Sequence, residues 1–245
     1  MSLYHTEDFQ KKCGVFGIEL TEEQITKFMD YYELLVEWNS FMNLTAITDF
    51  DEVILKHFVD SLAVCQTDVF QKVSESSVSL IDIGTGAGFP GIPLKILYPN
   101  LKVTLLDSLN KRVKFLNTVI EKLNLENIET IHGRAEDFAK NPVYREQYDF
   151  CVSRAVANLS TLTELCIPFV KKNGYFISYK SEKVNEELHA GKRAVDILGG
   201  KIEKQLEYCL PDTDMKRSLL LIKKEKSTPK KYPRKAGTPA KEPIC

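Results

Sequence analysis

Hydrophobic positions follow two periods along the chain. Behind Thr21-Glu-Glu-Gln24, whose ends stand at capping-box spacing, Ile25, Phe28, Met29, Tyr32, Leu35 and Val36 recur at helical intervals and predict an amphipathic helix. A second helix is predicted over about 51–62, with Ile54, Phe58 and Leu62 on one stripe, and a polar loop over 74–77. The period then changes. Short apolar runs at 78–83, 102–107, 128–132, 148–153 and 174–179 read as strands. Helical segments alternate with them: one following Gly84–Gly91 to about Tyr98, then 111–123, 159–170 and a polar 182–198. Runs near 202–209 and 218–223, joined by a short polar stretch, predict a closing hairpin at the sheet edge. Such alternation predicts an α/β fold of the Rossmann-like class: a mainly parallel seven-stranded sheet, helices on both faces and an N-terminal helical extension. The expected division is a helical region 1–74, a core 75–225 and a tail 226–245.

Composition changes this picture in two places. No apolar run is long enough for a membrane span and the first residues lack a secretory layout, so the expected location is the cytoplasm, with no membrane partner. The cysteines are scattered without a C-x-x-C pair, so buried reduced thiols are expected and no metal site. The formal charge of -1 hides an asymmetry, because residues 223–245 carry eight basic residues against Glu225 and Glu242. Four prolines in that stretch argue against a helix and for an extended segment that follows a polyanion through Lys230, Lys231, Arg234, Lys235 and Lys241. A solubilising terminus is the plainer alternative.

The first strand-to-helix turn is where an open α/β sheet places its ligand. Gly86-Ala-Gly88-Phe-Pro-Gly91 formally matches the dinucleotide fingerprint, with Asp107 at the expected distance. The frame at the strand end is instead Asp82-Ile-Gly84-Thr-Gly86-Ala-Gly88, an acidic residue before G-x-G-x-G, which suits S-adenosylmethionine, a ligand without pyrophosphate. Asp107 then stands where a carboxylate accepts from both ribose hydroxyls, and Ala135-Glu136-Asp137 where an adenine edge lies; a strand-end cap and plain helix capping are the structural alternatives.

Leu80-Ile-Asp-Ile-Gly-Thr-Gly-Ala-Gly-Phe-Pro-Gly91, His132-Gly-Arg-Ala-Glu136 and Ser153-Arg-Ala-Val-Ala157 together resemble the RsmG family, also called glucose-inhibited division protein B. The likeness extends to Trp38-Asn39, Asn43-Leu-Thr45 and His57-Phe-Val-Asp-Ser-Leu62 upstream, and to Thr228–Arg234 and Gly237–Lys241 downstream. It implies methylation of N7 of a guanine in 16S rRNA near the decoding centre; the expected partner is the rRNA or the small subunit, and the expected state a monomer. The family's cofactor positions fall on Gly84, Phe89, Ala135, Glu136 and Arg154, and the acceptor side on Asn39, Asn43 and His57. Tyr179-Lys180-Ser181 departs from the family's Lys-Gly. Missing motifs agree with this acceptor: the chain has neither the Asn/Asp-Pro-Pro-aromatic motif of amino-group methylation nor a Pro-Cys nucleophile. A guanine N7 has a lone pair and no proton, so it needs neither. Arg154 has two candidate jobs, reading the guanine oxygen or a phosphate, and fixing the cofactor. A small-molecule methyltransferase and an RNA-binding assembly factor with a vestigial site are the competing readings.

Overall fold

The computed structural model describes residues 4, 6–71, 73, 78–154, 157–181 and 184–244, without the side chains of 184–186 and 189. The predicted loop at 74–77, the start of the helix at 182, Ala155 beside Arg154, and Cys245 lie outside the described residues.

Seven strands form one sheet: β1 (Ser79–Ile83), β2 (Lys102–Asp107), β3 (Ile128–His132), β4 (Tyr148–Arg154), β5 (Val170–Ser181), β6 (Gly200–Cys209) and β7 (Lys216–Lys224). Their order is β3-β2-β1-β4-β5-β7-β6. The first five are parallel, and β7 runs antiparallel to both β5 and β6. The order reverses between β1 and β4, so the ends of these two strands open the crevice where ligands of such sheets bind.

Strand alternation sorts the side chains into two cores. Leu80, Val103, Leu105, Phe150 and Val152 face one side, where they join Phe9, Phe28, Tyr31 and Phe58 from the N-terminal helices. Ile81, Ile83, Leu106 and Cys151 face the other, against the helices Leu159–Cys166 and Val184–Ile197. The N-terminal region thus shares its core with the sheet.

Thr21 caps the helix Glu22–Met42 through the predicted capping box. Its buried stripe is Phe28, Met29, Tyr31 and Leu35; Tyr32 is only partly buried and Val36 is exposed. The helix faces two packing surfaces, so the single 3.6-residue stripe misses Tyr31. A preceding helix, Thr6–Val15, has too weak an apolar pattern to be read from sequence. The second predicted helix is present, but Ile54–Val59 within it is wound as a π-helix, a local feature frequent at functional sites.

The tail corrects an expectation. Instead of running extended it folds onto the body and contains a short helix, Thr238–Lys241. Pro239 is accommodated because it lies in the first turn, where its missing N–H is not required. Glu146 accepts from the Thr228 N–H at 2.7 Å, and Arg145 donates to the carbonyls of Thr228 (2.8 Å) and Tyr232 (2.9 Å). Arg234 forks onto Glu164, a carboxylate with no solvent exposure, so this residue is a structural clamp rather than a phosphate contact. Lys224, one of the eight basic residues of 223–245, is buried against Glu146 and the Ile167 carbonyl, and burial pushes its ammonium down to about 8. Lys230, Lys231, Lys235 and Lys241 remain exposed.

Candidate active site

The glycine-rich turn is tied at both ends by one buried carboxylate. Asp82 accepts from the Thr85 hydroxyl at 2.7 Å and from the Gly91 N–H at 2.9 Å, joining the end of β1 to the start of the helix Gly91–Leu97. Complete burial pushes it up to about 7, against the opposing pull of those two hydrogen bonds. Asp82 therefore shapes the loop from behind and does not border the cavity, which corrects its assignment as a direct cofactor ligand.

The glycines divide by job. A β-carbon on Gly91 would clash with Leu105, and one on Gly88 would lie 2.6 Å from both Ile92 and the Tyr31 hydroxyl, which donates to the Ala87 carbonyl. On Gly86 it would meet nothing within 4 Å, because this residue faces open space. Gly84 and Gly86 also hold φ values of +67° and +64°, which side chains disfavour.

These two glycines open onto a cavity of about 370 Å³, shared with Thr45, Phe89, Asp107 and Arg112. Asp107 accepts from the Gly86 N–H (2.9 Å) and from Arg112 (3.3 Å) on one oxygen, and from the Leu109 N–H (2.9 Å) on the other. Its role as acceptor for two ribose hydroxyls is thereby narrowed: the described contacts leave one lone-pair position, on Oδ1. Arg112 was not singled out from sequence, although it lies one helical turn past Asp107 on a loop-to-helix segment.

Ala135 and Glu136 do not border this cavity. Ala135 is packed in the second core, and Glu136, 6% exposed, accepts from the Gly237 N–H at 2.8 Å. The carboxylate assigned to an adenine edge thus anchors the tail. Asn39 also has a local task, since its side-chain oxygen accepts from the N–H groups of Leu44 (2.7 Å) and Thr45 (2.9 Å). Asn43, in the left-handed region, ends the helix and is exposed.

Arg154, at the end of β4, forms a wall with His57. The guanidinium donates to the Lys56 carbonyl (2.9 Å), to Asp60 (3.0 Å) and to His57 Nδ1 (3.2 Å), and lies 5.1 Å above the centre of the Phe89 ring. His57 stacks on the same ring at 4.6 Å. Burial first, and then the Arg154 charge, push the imidazole down to about 3, so it is neutral at physiological pH. His57 Nε2 lies 2.9 Å from the Thr45 hydroxyl, and Nδ1 lies 3.2 Å from both the Arg154 guanidinium, a donor, and the Lys56 carbonyl, an acceptor. That hydroxyl also accepts from the Ile47 N–H and borders the glycine-lined cavity.

Beyond this wall lies a second cavity of about 590 Å³, which His57 and Arg154 border as well, together with Lys56, Asp60, Lys180 and Arg217. Asp60, 5% exposed, is held by Arg154 and by the Tyr208 hydroxyl at 2.8 Å. It escaped the sequence reading even though its spacing from His57 puts both on one helical face. Lys180, in the segment that departs from the family pattern, pairs with Glu187 at 2.6 Å and donates to the Ala157 carbonyl.

The family model described as rRNA small subunit methyltransferase G matches residues 24–216. A ribosomal RNA small subunit methyltransferase G of Lachnoclostridium phytofermentans is 56% identical over 228 residues, 93% of each chain. Another of the same name, from Lactococcus lactis, is 52% identical over 238 residues, covering 97% of this chain and 98% of its own. Among solved structures, an O-methyltransferase from Bacillus cereus in complex with SAH is 17% identical and superimposes with a TM-score of 0.56 over 79% of this chain and 91% of that one, a likeness of fold.

Proposed function

Because this chain belongs to the rRNA small subunit methyltransferase G family, we propose that it transfers a methyl group from S-adenosylmethionine to N7 of a guanine in 16S rRNA. The observation that carries this reading is the shared wall: His57 and Arg154 border both the glycine-lined cavity and its cationic neighbour.

The glycine-lined side fits the cofactor. Gly86 offers a surface that a side chain would fill, Asp107 an acceptor, and Thr45 a hydroxyl. When bound, the cofactor supplies an activated methyl group on sulfur. What remains for the protein is to hold the acceptor nitrogen in line with it. A neutral His57 and a fixed Arg154 suit that task, because guanine N7 has no proton to remove. Arg154 and the cations of the second cavity are positioned to orient the base oxygen or its phosphate.

Incubation with labelled S-adenosylmethionine and small subunits from cells lacking this gene, followed by mapping of the label, tests the proposal. The expected result is one N7-methylated guanine in 16S rRNA. Label on protein, on a small molecule, or on another base atom would refute it.

A further inference from the structure

Two carboxylates among the described residues border the second cavity, and they differ in what they have left to offer. Asp60 is held on both oxygens: Arg154 donates to one and the Tyr208 hydroxyl to the other, with Arg217 3.8 Å away. Glu187 is held on one side only. Its Oε2 accepts from Lys180 at 2.6 Å and from the Leu159 N–H at 3.0 Å, while no bond reaches Oε1 among the described residues. The side chain is 34% exposed, on the cavity lining. It is anchored from β5 and from the start of the helix Leu159–Cys166.

We propose that Glu187 identifies the acceptor base as guanine by accepting hydrogen bonds from its N1–H and 2-amino group. The proposal rests on the guanine-N7 reading above and adds a specificity residue to it. The chemistry follows from the shape of the base. N7 and O6 share one edge of guanine, so turning N7 toward the cofactor presents the N1–H and 2-amino donors to another part of the cavity. Two adjacent donors suit Oε1, an acceptor whose two lone-pair positions are both left by the described contacts. Adenine has an acceptor at N1 and no 2-amino group, so in the same pose it would set a lone pair against the carboxylate and leave both unsatisfied. Lys180 gains a task from this arrangement, because its bonds to Glu187 and to the Ala157 carbonyl fix the rotamer that Oε1 needs. Tyr179, buried beneath with its hydroxyl on the Ser61 carbonyl, keeps that segment of β5 rigid.

Inosine separates recognition from support, since it keeps N7, O6 and N1–H and lacks only the 2-amino group. 16S rRNA carrying guanine or inosine at the methylated position would be assayed with the wild type, Glu187→Gln and Glu187→Ala. Wild type should lose about 10- to 100-fold in kcat/KM on inosine, the range for removing a hydrogen bond to a charged group. Both variants should methylate the guanine RNA more slowly by a similar factor and discriminate between the two RNAs by less than about twofold. Cofactor affinity should stay within about twofold of wild type, and Glu187→Gln preserves the size of the side chain should Glu187→Ala fold poorly. A variant that is slow but retains the wild-type guanine-to-inosine ratio would make Glu187 a structural support and overturn the assignment. Wild type that leaves guanine N7 unmethylated would instead overturn the activity on which it rests.

Discussion

Asp82 exerts its influence on the site without touching it. It is buried, holds the glycine turn through Oδ2 and has an unpartnered Oδ1. With its folded value raised to about 7 from 3.8, the folded state keeps a proton that the unfolded chain releases. The stability it contributes is therefore fully present below about pH 3.8 and is lost as pH rises through about 7. Asp82→Asn should remove this component. Urea denaturation of both proteins at pH 5 and pH 8 should show the wild type losing more stability over that interval than the variant. Parallel losses would mean that Asp82 titrates normally. Arg154 poses a different question at the same scale. Its carboxylate partner is 5% exposed, so the ion pair is shielded from solvent and its geometry is rigid. Arg154→Lys should keep the charge beside Asp60 while losing the fork that also reaches Lys56 and His57. Methyl transfer should fall by about 100-fold, a cost typical of a small misplacement, while calorimetric cofactor affinity changes little. An equal loss in both would make Arg154 a cofactor ligand.

Among the elements, the C-terminal segment departs most from its sequence signature. Its basic residues and prolines suggest a strand of charge tracking a polyanion, yet in the fold it is pinned by Glu136, Glu146 and Glu164. Arg234→Ala would leave Glu164 a buried carboxylate without its cation, held only by the N–H of residue 234, which costs about 3 kcal/mol for a broken buried pair. Deleting 228–245 would remove that partner and those of Arg145 and Glu146 together, and should lower Tm by more than the single substitution does. Differential scanning of the three proteins checks both outcomes; an unchanged Tm on truncation would show the docking to be marginal. The helix Glu22–Met42 carries a related lesson. Its cap was legible because capping is local, but Tyr31 was not, because it is buried by Phe58 and Phe89, which lie far along the chain.

In the whole molecule, the sheet order sets the ends of β1 and β4 side by side, and the N-terminal helices close the same crevice from one face. Much of this was determined by sequence alone. Strand and helix periods are properties of adjacent residues, so the seven strands and the Gly84–Gly91 turn could be read without coordinates. Gly84 and Gly86 were legible for the same reason, since a positive φ at a strand end is a local demand for glycine. Tertiary structure alone decided which charged groups are occupied. Glu136 and Arg234 have the types and positions expected of ligand contacts, but partners from other segments hold them in structural roles. Arg112 and Glu187 carried no signal strong enough to single them out, yet they border the cavities. A carboxylate's task depends on which donors fill its lone pairs and how far it lies from water, and both are set by residues distant in sequence.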